Sequence, residues 1–159
     1  MLKFTARPSL LLAFFTLFLF ACGNDFIFEK TIKIPEASWS YENELPFEFE
    51  VTDTTKTYQI LLEVKHAGDF GFQNCYVQIT TKFPSGEEKK QPVSLELAAQ
   101  SGIWTGQCSG NDCTIEIPLQ GKAKFRQPGK HSITVEQFMR VNPLPGIKAI
   151  SLKIKQLEK

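Results

Sequence analysis

The side chains able to do chemistry are few and widely spaced. There are two histidines, His66 and His131. His66 stands three residues before Asp69, a spacing that would suit a general base and the carboxylate orienting it. Such a pair at a strand end more commonly forms a solvated turn, and both histidines are read as surface or loop residues. Acids are scattered along the chain without singling out a catalytic pair. No nucleophile elbow, phosphate-binding loop or His-Glu-x-x-His helix is present. No catalytic residue and no cofactor are therefore expected. Cys75, Cys108, Cys113 and a histidine could in principle surround zinc, but their spacing matches no standard metal knuckle, so no metal is expected. Cys108 and Cys113 flank Ser109-Gly110-Asn111-Asp112, which reads as a four-residue hairpin loop. Such a loop would set the two directly opposite each other, within disulfide reach. Cys75 shares the parity of an apolar row and reads as a small core residue, leaving an odd thiol worth testing for reactivity. Trp39 and Trp104 could stack sugar rings if exposed on a sheet face; burial at strand ends is the expectation for both.

Cys22 differs from the other cysteines because it closes an apolar segment. Residues 1–7 carry Lys3 and Arg7 with no acid, and residues 10–20 are apolar except Thr16. A charged start, an apolar run of this length and small Ala21 before the cut describe a secretory signal. The run is shorter than the roughly 20 residues a membrane span needs. Leu19-Phe20-Ala21-Cys22 also resembles a bacterial lipobox, whose cysteine is acylated and becomes the new N-terminus; Phe20 is bulkier than usual there. Each buried methylene contributes about 0.8 kcal/mol, so several acyl chains would hold the protein on a membrane without spanning it. The expected organisation is a signal at 1–21, a lipidated tether at 22–25 and one domain at 26–159. Export to an oxidising compartment makes a Cys108–Cys113 bond reasonable, though so short a loop would gain little stability from it.

Loss of the signal leaves 138 residues, enough for one domain with its own core, and takes the net charge from +1 to about −1. That balance suggests no nucleic-acid footprint and no polybasic membrane patch. Two-fold alternation runs along almost the whole domain. Phe47, Phe49 and Val51 share one face; Tyr58, Ile60, Leu62 and Val64 follow, then Cys75, Val77, Ile79, Thr81 and Phe83. Later rows are Val93, Leu95 and Leu97; Cys113, Ile115, Ile117 and Leu119; Ile133 and Val135; and Ile150, Leu152 and Ile154. Period two over short segments means strands with one buried face. Pro84-Ser85-Gly86 suits a tight turn with Pro second and Gly fourth. Only residues 95–100 hint at a helical turn. The fold expected is all-β: one antiparallel sandwich of about eight or nine strands, jelly-roll or immunoglobulin-like in order.

A set of ordered segments adds a family resemblance. It begins with Ile34-Pro35, Trp39 and Phe47-Glu48-Phe49-Glu50-Val51-Thr52-Asp53-Thr54. It continues with Thr80-Thr81-Lys82-Phe83-Pro84-Ser85-Gly86, Ser101-Gly102-Ile103-Trp104-Thr105-Gly106 and Phe125-Arg126-Gln127-Pro128-Gly129. Glu136-Gln137-Phe138-Met139-Arg140-Val141-Asn142-Pro143-Leu144-Pro145-Gly146-Ile147 ends it. Together these resemble the gliding-motility lipoprotein family GldH of Bacteroidetes across the mature chain. The resemblance implies a non-enzymatic envelope lipoprotein, acylated with palmitate-type chains at Cys22, that supports gliding and the associated type IX secretion machinery. It implies partners among other gliding and secretion proteins, membrane contact through the N-terminal lipid, and no small-molecule ligand. It brings no catalytic residues.

Physical reasoning adds a contact surface. Pro143, Pro145 and Gly146 would stiffen the loop that holds Arg140, Asn142 and Leu144, so these three would lose little entropy on docking; the same residues could equally just build the turn. Gly23-Asn24-Asp25 forms no acidic export run, which places the protein on the periplasmic side of the outer membrane. The alternative is a glycan-binding surface lipoprotein with a carbohydrate-binding-module-like sandwich, but the outer rows are mostly charged or polar.

Overall fold

A computed structural model describes residues 26–157; the signal segment and Cys22 lie outside the described residues. Alternation produces two antiparallel sheets packed face to face. The first has five strands in the order β1 (Phe26–Lys33), β11 (Ile147–Leu157), β4 (Thr57–Ala67), β8 (Asp112–Ala123) and β7 (Gln107–Ser109). The second has four: β3 (Leu45–Val51), β9 (Gly129–Gln137), β5 (Asn74–Lys82) and β6 (Glu88–Glu96). The two-residue strands β2 (Ser38–Trp39) and β10 (Leu144–Pro145) pair with each other outside both sheets. Nine strands in two sheets make the all-β sandwich that the alternation predicts.

The inward rows meet as expected. Phe47, Val51, Leu62, Val64, Val77, Val135, Ile150, Leu152 and Ile154 are wholly inaccessible, within one cluster that spans both sheets. Residues 95–100 are not helical. Leu95 ends β6 on the inward row and Leu97 continues it, both buried. The Leu97 and Ala98 amides donate to the Gln73 carbonyl, each at 2.9 Å, and Ala98 bridges to Trp104. A helix would swing one of the two leucines out of the core. The only helical turn among the described residues is a 3-10 turn at Pro35–Ala37. Pro84-Ser85-Gly86 turns as predicted, with the Gly86 amide donating to the Phe83 carbonyl at 2.9 Å.

The strands give the sandwich two distinct ends. Val51, Gly129, Lys82 and Glu88 lie at one end of the four-stranded sheet by register. Thr57, Ala123, Leu157 and Phe26 lie at the same end of the five-stranded sheet. Phe28 packs on Phe49 across the sheets, ring centres 5.6 Å apart, which fixes this end as the one where the N-terminal strand begins. The other end carries the loops at 35–44, 68–73, 97–106 and 138–146 together with the β7–β8 hairpin.

Charges on the outer face of the five-stranded sheet knit its strands side by side. The Lys153 ammonium donates to Glu63 at 2.6 Å and Glu116 at 3.2 Å and lies 3.7 Å from Glu29. Burial pulls that ammonium down, but the hydrogen bonds to Glu63 and Glu116 outweigh it and raise its pKa. Asp112 sits between Lys148 and Lys65, the latter 2.8 Å away. Hydrogen bonds from Lys148 and then Lys65 lower its carboxyl to about 2.

A carboxyl depressed in the folded state stabilises above the ordinary carboxylate range, and the contribution fades as pH falls through the folded pKa. Asp112→Asn should therefore lower the melting temperature at neutral pH. The gap to the parent should narrow between about pH 4 and pH 2 and close below that, as read by thermal melts across the range.

Candidate functional site

Residues 138–146 follow β9 at the end of the sandwich away from Phe26. The inward row of β9 is His131, Ile133, Val135 and Gln137, all buried. Phe138 therefore has outward parity, and it is 57% exposed. Its amide donates to the Tyr76 carbonyl at 2.8 Å, setting it beside Tyr76, which is 47% exposed on the outward row of β5. Tyr41 joins them: its hydroxyl donates to the Met139 carbonyl at 2.6 Å and its amide to Asn142 Oδ1 at 3.0 Å. Val141 is exposed in the same loop. Three exposed aromatic rings and exposed Val141 thus gather at this end of the sandwich, where Arg140 is exposed in the same loop as Phe138 and Val141.

The loop is tied from beneath. The buried Gln137 side chain accepts from the Met139 amide at 2.9 Å and donates to the Val141 carbonyl at 3.3 Å. Gly146 is the joint where the loop rejoins the sheet. Its φ of +95° suits glycine, and a Cβ there would lie 2.9 Å from the Phe70 ring. The Gly146 amide donates to Ala37 at 2.7 Å and its carbonyl accepts from Ala67 at 2.8 Å. A loop held this way is ordered before any partner arrives, which lowers the entropic cost of docking.

Of the three contact residues proposed from sequence, the structure keeps two on the surface. Arg140 and Asn142 are exposed, but Leu144 is fully buried, paired with Trp39 in the β2–β10 bridge. Leu144 therefore belongs to the core, because the brief β10 turns it inward. Sequence reading missed Tyr41, Tyr76 and Phe138, although the parity of β5 and β9 already points the last two outward.

His66 and His131 lie at opposite ends of the sandwich and build no shared constellation. His66 is wholly buried, not a surface residue, and its Nδ1 lies 2.8 Å from the Ala67 carbonyl. Its Nε2 has no hydrogen-bond partner among the described residues, and its ring meets Trp104 edge-on at 4.5 Å. Asp69 is exposed and makes no bond to it, so the base-and-orienter pair is not assembled. His131 is also buried, stacked on Phe49 at 5.7 Å. Both histidines extend inward rows whose parity their apolar neighbours set. Trp39 is in the core, with its indole N–H on the Asn43 carbonyl at 2.8 Å. Trp104 is half-buried and donates to the Gly68 carbonyl at 3.0 Å, so neither is an exposed platform.

Cys108 and Cys113 face each other in the β7–β8 register and are bonded through sulfur. Ser109 pairs with Asp112, so the turn between the cysteines is the two residues Gly110-Asn111, tighter than the expected four. Cys75 is a buried free thiol, and burial pushes it up to about 12. Among the described residues, no group of three or more His, Cys, Asp or Glu side chains could hold a metal ion.

Leu144→Ala should cost about 2–5 kcal/mol of stability, as expected for truncating a fully buried leucine. Arg140→Ala should stay within about 0.5 kcal/mol of the parent, as for an exposed residue without structural contacts. Urea denaturation of the two variants checks both.

Residues 26–154 match the GldH lipoprotein family. A gliding motility lipoprotein GldH homolog of Christiangramia forsetii is 24% identical over 156 residues, covering 93% of this chain and 95% of that protein. The gliding motility lipoprotein GldH of Flavobacterium johnsoniae is 25% identical over 133 residues, covering 83% of this chain and 82% of that one. Among solved structures, the family 35 carbohydrate-binding module from Cellvibrio japonicus Abf62 covers 82% of this chain and 98% of its own at 14% identity, with a TM-score of 0.34. At that score neither ligand nor activity is carried across. Through residues 26–154, the chain belongs to the GldH lipoprotein family.

Proposed function

We propose that this protein is a lipid-anchored, non-catalytic subunit that supports gliding motility and the associated type IX secretion machinery from the periplasmic face of the outer membrane. Acylation of Cys22 would hold it there through the tether at 22–25. Family membership and the names of its relatives favour the motility role. The observation that carries the reading is the position of the exposed aromatic cluster. Phe138 and Arg140 on the tied loop, with Tyr76 of β5 and Tyr41 of the 35–44 loop beside it, are exposed at the end opposite Phe26, so an anchor at the N-terminus would leave this surface facing away from the bilayer. Aromatic residues and arginine are the types that dominate binding energy at protein interfaces. Other gliding and secretion envelope proteins are the partners that fit.

Phe138→Ala combined with Arg140→Ala should sharply reduce recovery of envelope partners after cross-linking while leaving the melting temperature nearly unchanged. Unaltered recovery would sink the docking surface. Deleting the gene should impair both spreading over surfaces and secretion; normal spreading and secretion in the deletion strain would reject the assignment. Labelling with a palmitate analogue should mark the protein and disappear in Cys22→Ser.

A further inference from the structure

At the end where the N-terminal strand begins, the two sheets part around a cleft of about 560 Å³. The gap arises because β8 has β7 beside it only as far as Thr114, leaving its second half facing the free edge of β6. The volume falls within the roughly 300–1,000 Å³ typical of ligand sites. Phe49, Phe83 and Phe125 line it, and Lys89, Lys124 and Arg126 stand around them with Glu87 the single acid. A second hollow of about 410 Å³ shares Phe83 and His131 and adds Lys82, Lys130 and Glu48.

Two features mark this as a place for a ligand that carries both an anionic group and a hydroxyl. Lys89, Lys124, Arg126 and Lys130 form no ion pair among the described residues, whereas the cations on the five-stranded sheet's outer face at Lys65, Lys148 and Lys153 are all paired. His131 is the second feature. It is only 3% exposed, held by Phe49 at 5.7 Å and Phe125 at 4.9 Å, and lines both hollows. Its Nδ1 lies 3.0 Å from the Gly129 carbonyl, which assigns the proton to that nitrogen. Nε2 makes no hydrogen bond among the described residues. With the proton on Nδ1, Nε2 is an acceptor at the cleft wall, so a hydroxyl of a head group can donate to it while the cations around the cleft meet the phosphate.

Position narrows the ligand. Phe28 of the first strand packs on Phe49 of the cleft wall. Cys22 precedes Phe26 by four residues, a reach of at most about 14 Å. We propose that the cleft between β6 and the second half of β8 binds the phosphate-bearing head group of an anionic lipid in the leaflet that holds the acyl anchor. The placement rests on the Cys22 anchor proposed above; the chemistry of the cleft does not. The basic residues come from three places in the chain that folding gathers: Lys82, itself ion-paired with Glu88, then Lys89, and the acid-free stretch 121–130 that carries Lys124, Arg126 and Lys130. Such binding would depart from the expectation of no polybasic membrane patch and no small-molecule ligand.

The test uses the mature chain from residue 22 with Cys22→Ser, so that no acyl chain drives binding. It should co-sediment with phosphatidylcholine vesicles containing phosphatidylglycerol and not with phosphatidylcholine alone. A basic residue near an anionic surface contributes about fivefold, so Lys124→Ala with Arg126→Ala should weaken binding by at least about tenfold. Arg140→Ala, at the far end, should leave binding unchanged. Soluble short-chain phosphatidylglycerol should shift the His131 ring resonances, and inorganic phosphate at equal concentration should not. Binding to both vesicle types or to neither, equal loss from Arg140→Ala, or a His131 shift with inorganic phosphate alone would overturn the proposal. Acyl labelling of the native protein tests the anchor separately, so either reading can fail without the other.

Discussion

The contact between the inward rows of the two sheets is the constraint on which the rest of this protein depends. Neither sheet can exist alone, since each presents a face of phenylalanine, valine, leucine and isoleucine that must leave water. Once Phe47, Phe49 and Val51 close over Leu62, Val64, Leu152 and Ile154, the parity of every neighbour is fixed. A one-residue slip in any strand would expose an entire row and bury charges such as Glu48 or Lys153. The ion pairs are subordinate to that register. Lys153 reaches Glu29, Glu63 and Glu116 on three neighbouring strands only because burial of the other face aligns them.

Parity also explains what could and could not be read from the residues. The long strands were legible because each repeats its pattern three or more times. The histidines were misplaced because their polarity was weighed above their position. His66 continues the row Tyr58, Ile60, Leu62 and Val64, and His131 precedes Ile133 and Val135, so alternation alone predicts both as inward. The same rule, followed outward, finds Tyr76 and Phe138. Leu144 was not legible: a two-residue strand has no period, and its burial follows from pairing with Trp39 across more than a hundred residues. The cationic cleft was legible only in part: Lys124, Arg126 and Lys130 share one acid-free stretch, but Lys82 and Lys89 join them only through how β5, β6, β8 and β9 meet at one end.

The two ends of the sandwich are built for different neighbours. Where β1 begins, the surface is a cleft with unpaired cations around an aromatic floor. Where β9 ends, it is a tied loop with aromatic side chains held open to solvent. The sheets between are polar and ion-paired outside. The free edges carry Pro118 on β8 and Lys89, Lys90 and Pro92 on β6, devices that discourage another strand from adding there. Recognition is thereby restricted to the ends, and strand direction sets their separation.

Under the proposed anchoring and docking, that arrangement has a mechanical consequence. A pull between an anchor ahead of Phe26 and a partner on residues 138–142 acts nearly along the strand axes, from one end of the sandwich to the other. β1 is an edge strand joined to the body through β11, paired from Phe26 with Lys155 to Lys33 with Ala149. Force along that direction loads the ladder in shear, so its hydrogen bonds resist together instead of parting one at a time. Phe28 and Ile32, packed against the core from the same strand, would have to be drawn out of it at once. An anchor at the opposite end of β1 would peel the strand open pair by pair. The order of the strands, as much as their packing, would therefore suit the domain to the proposed place between a membrane anchor and a docked partner.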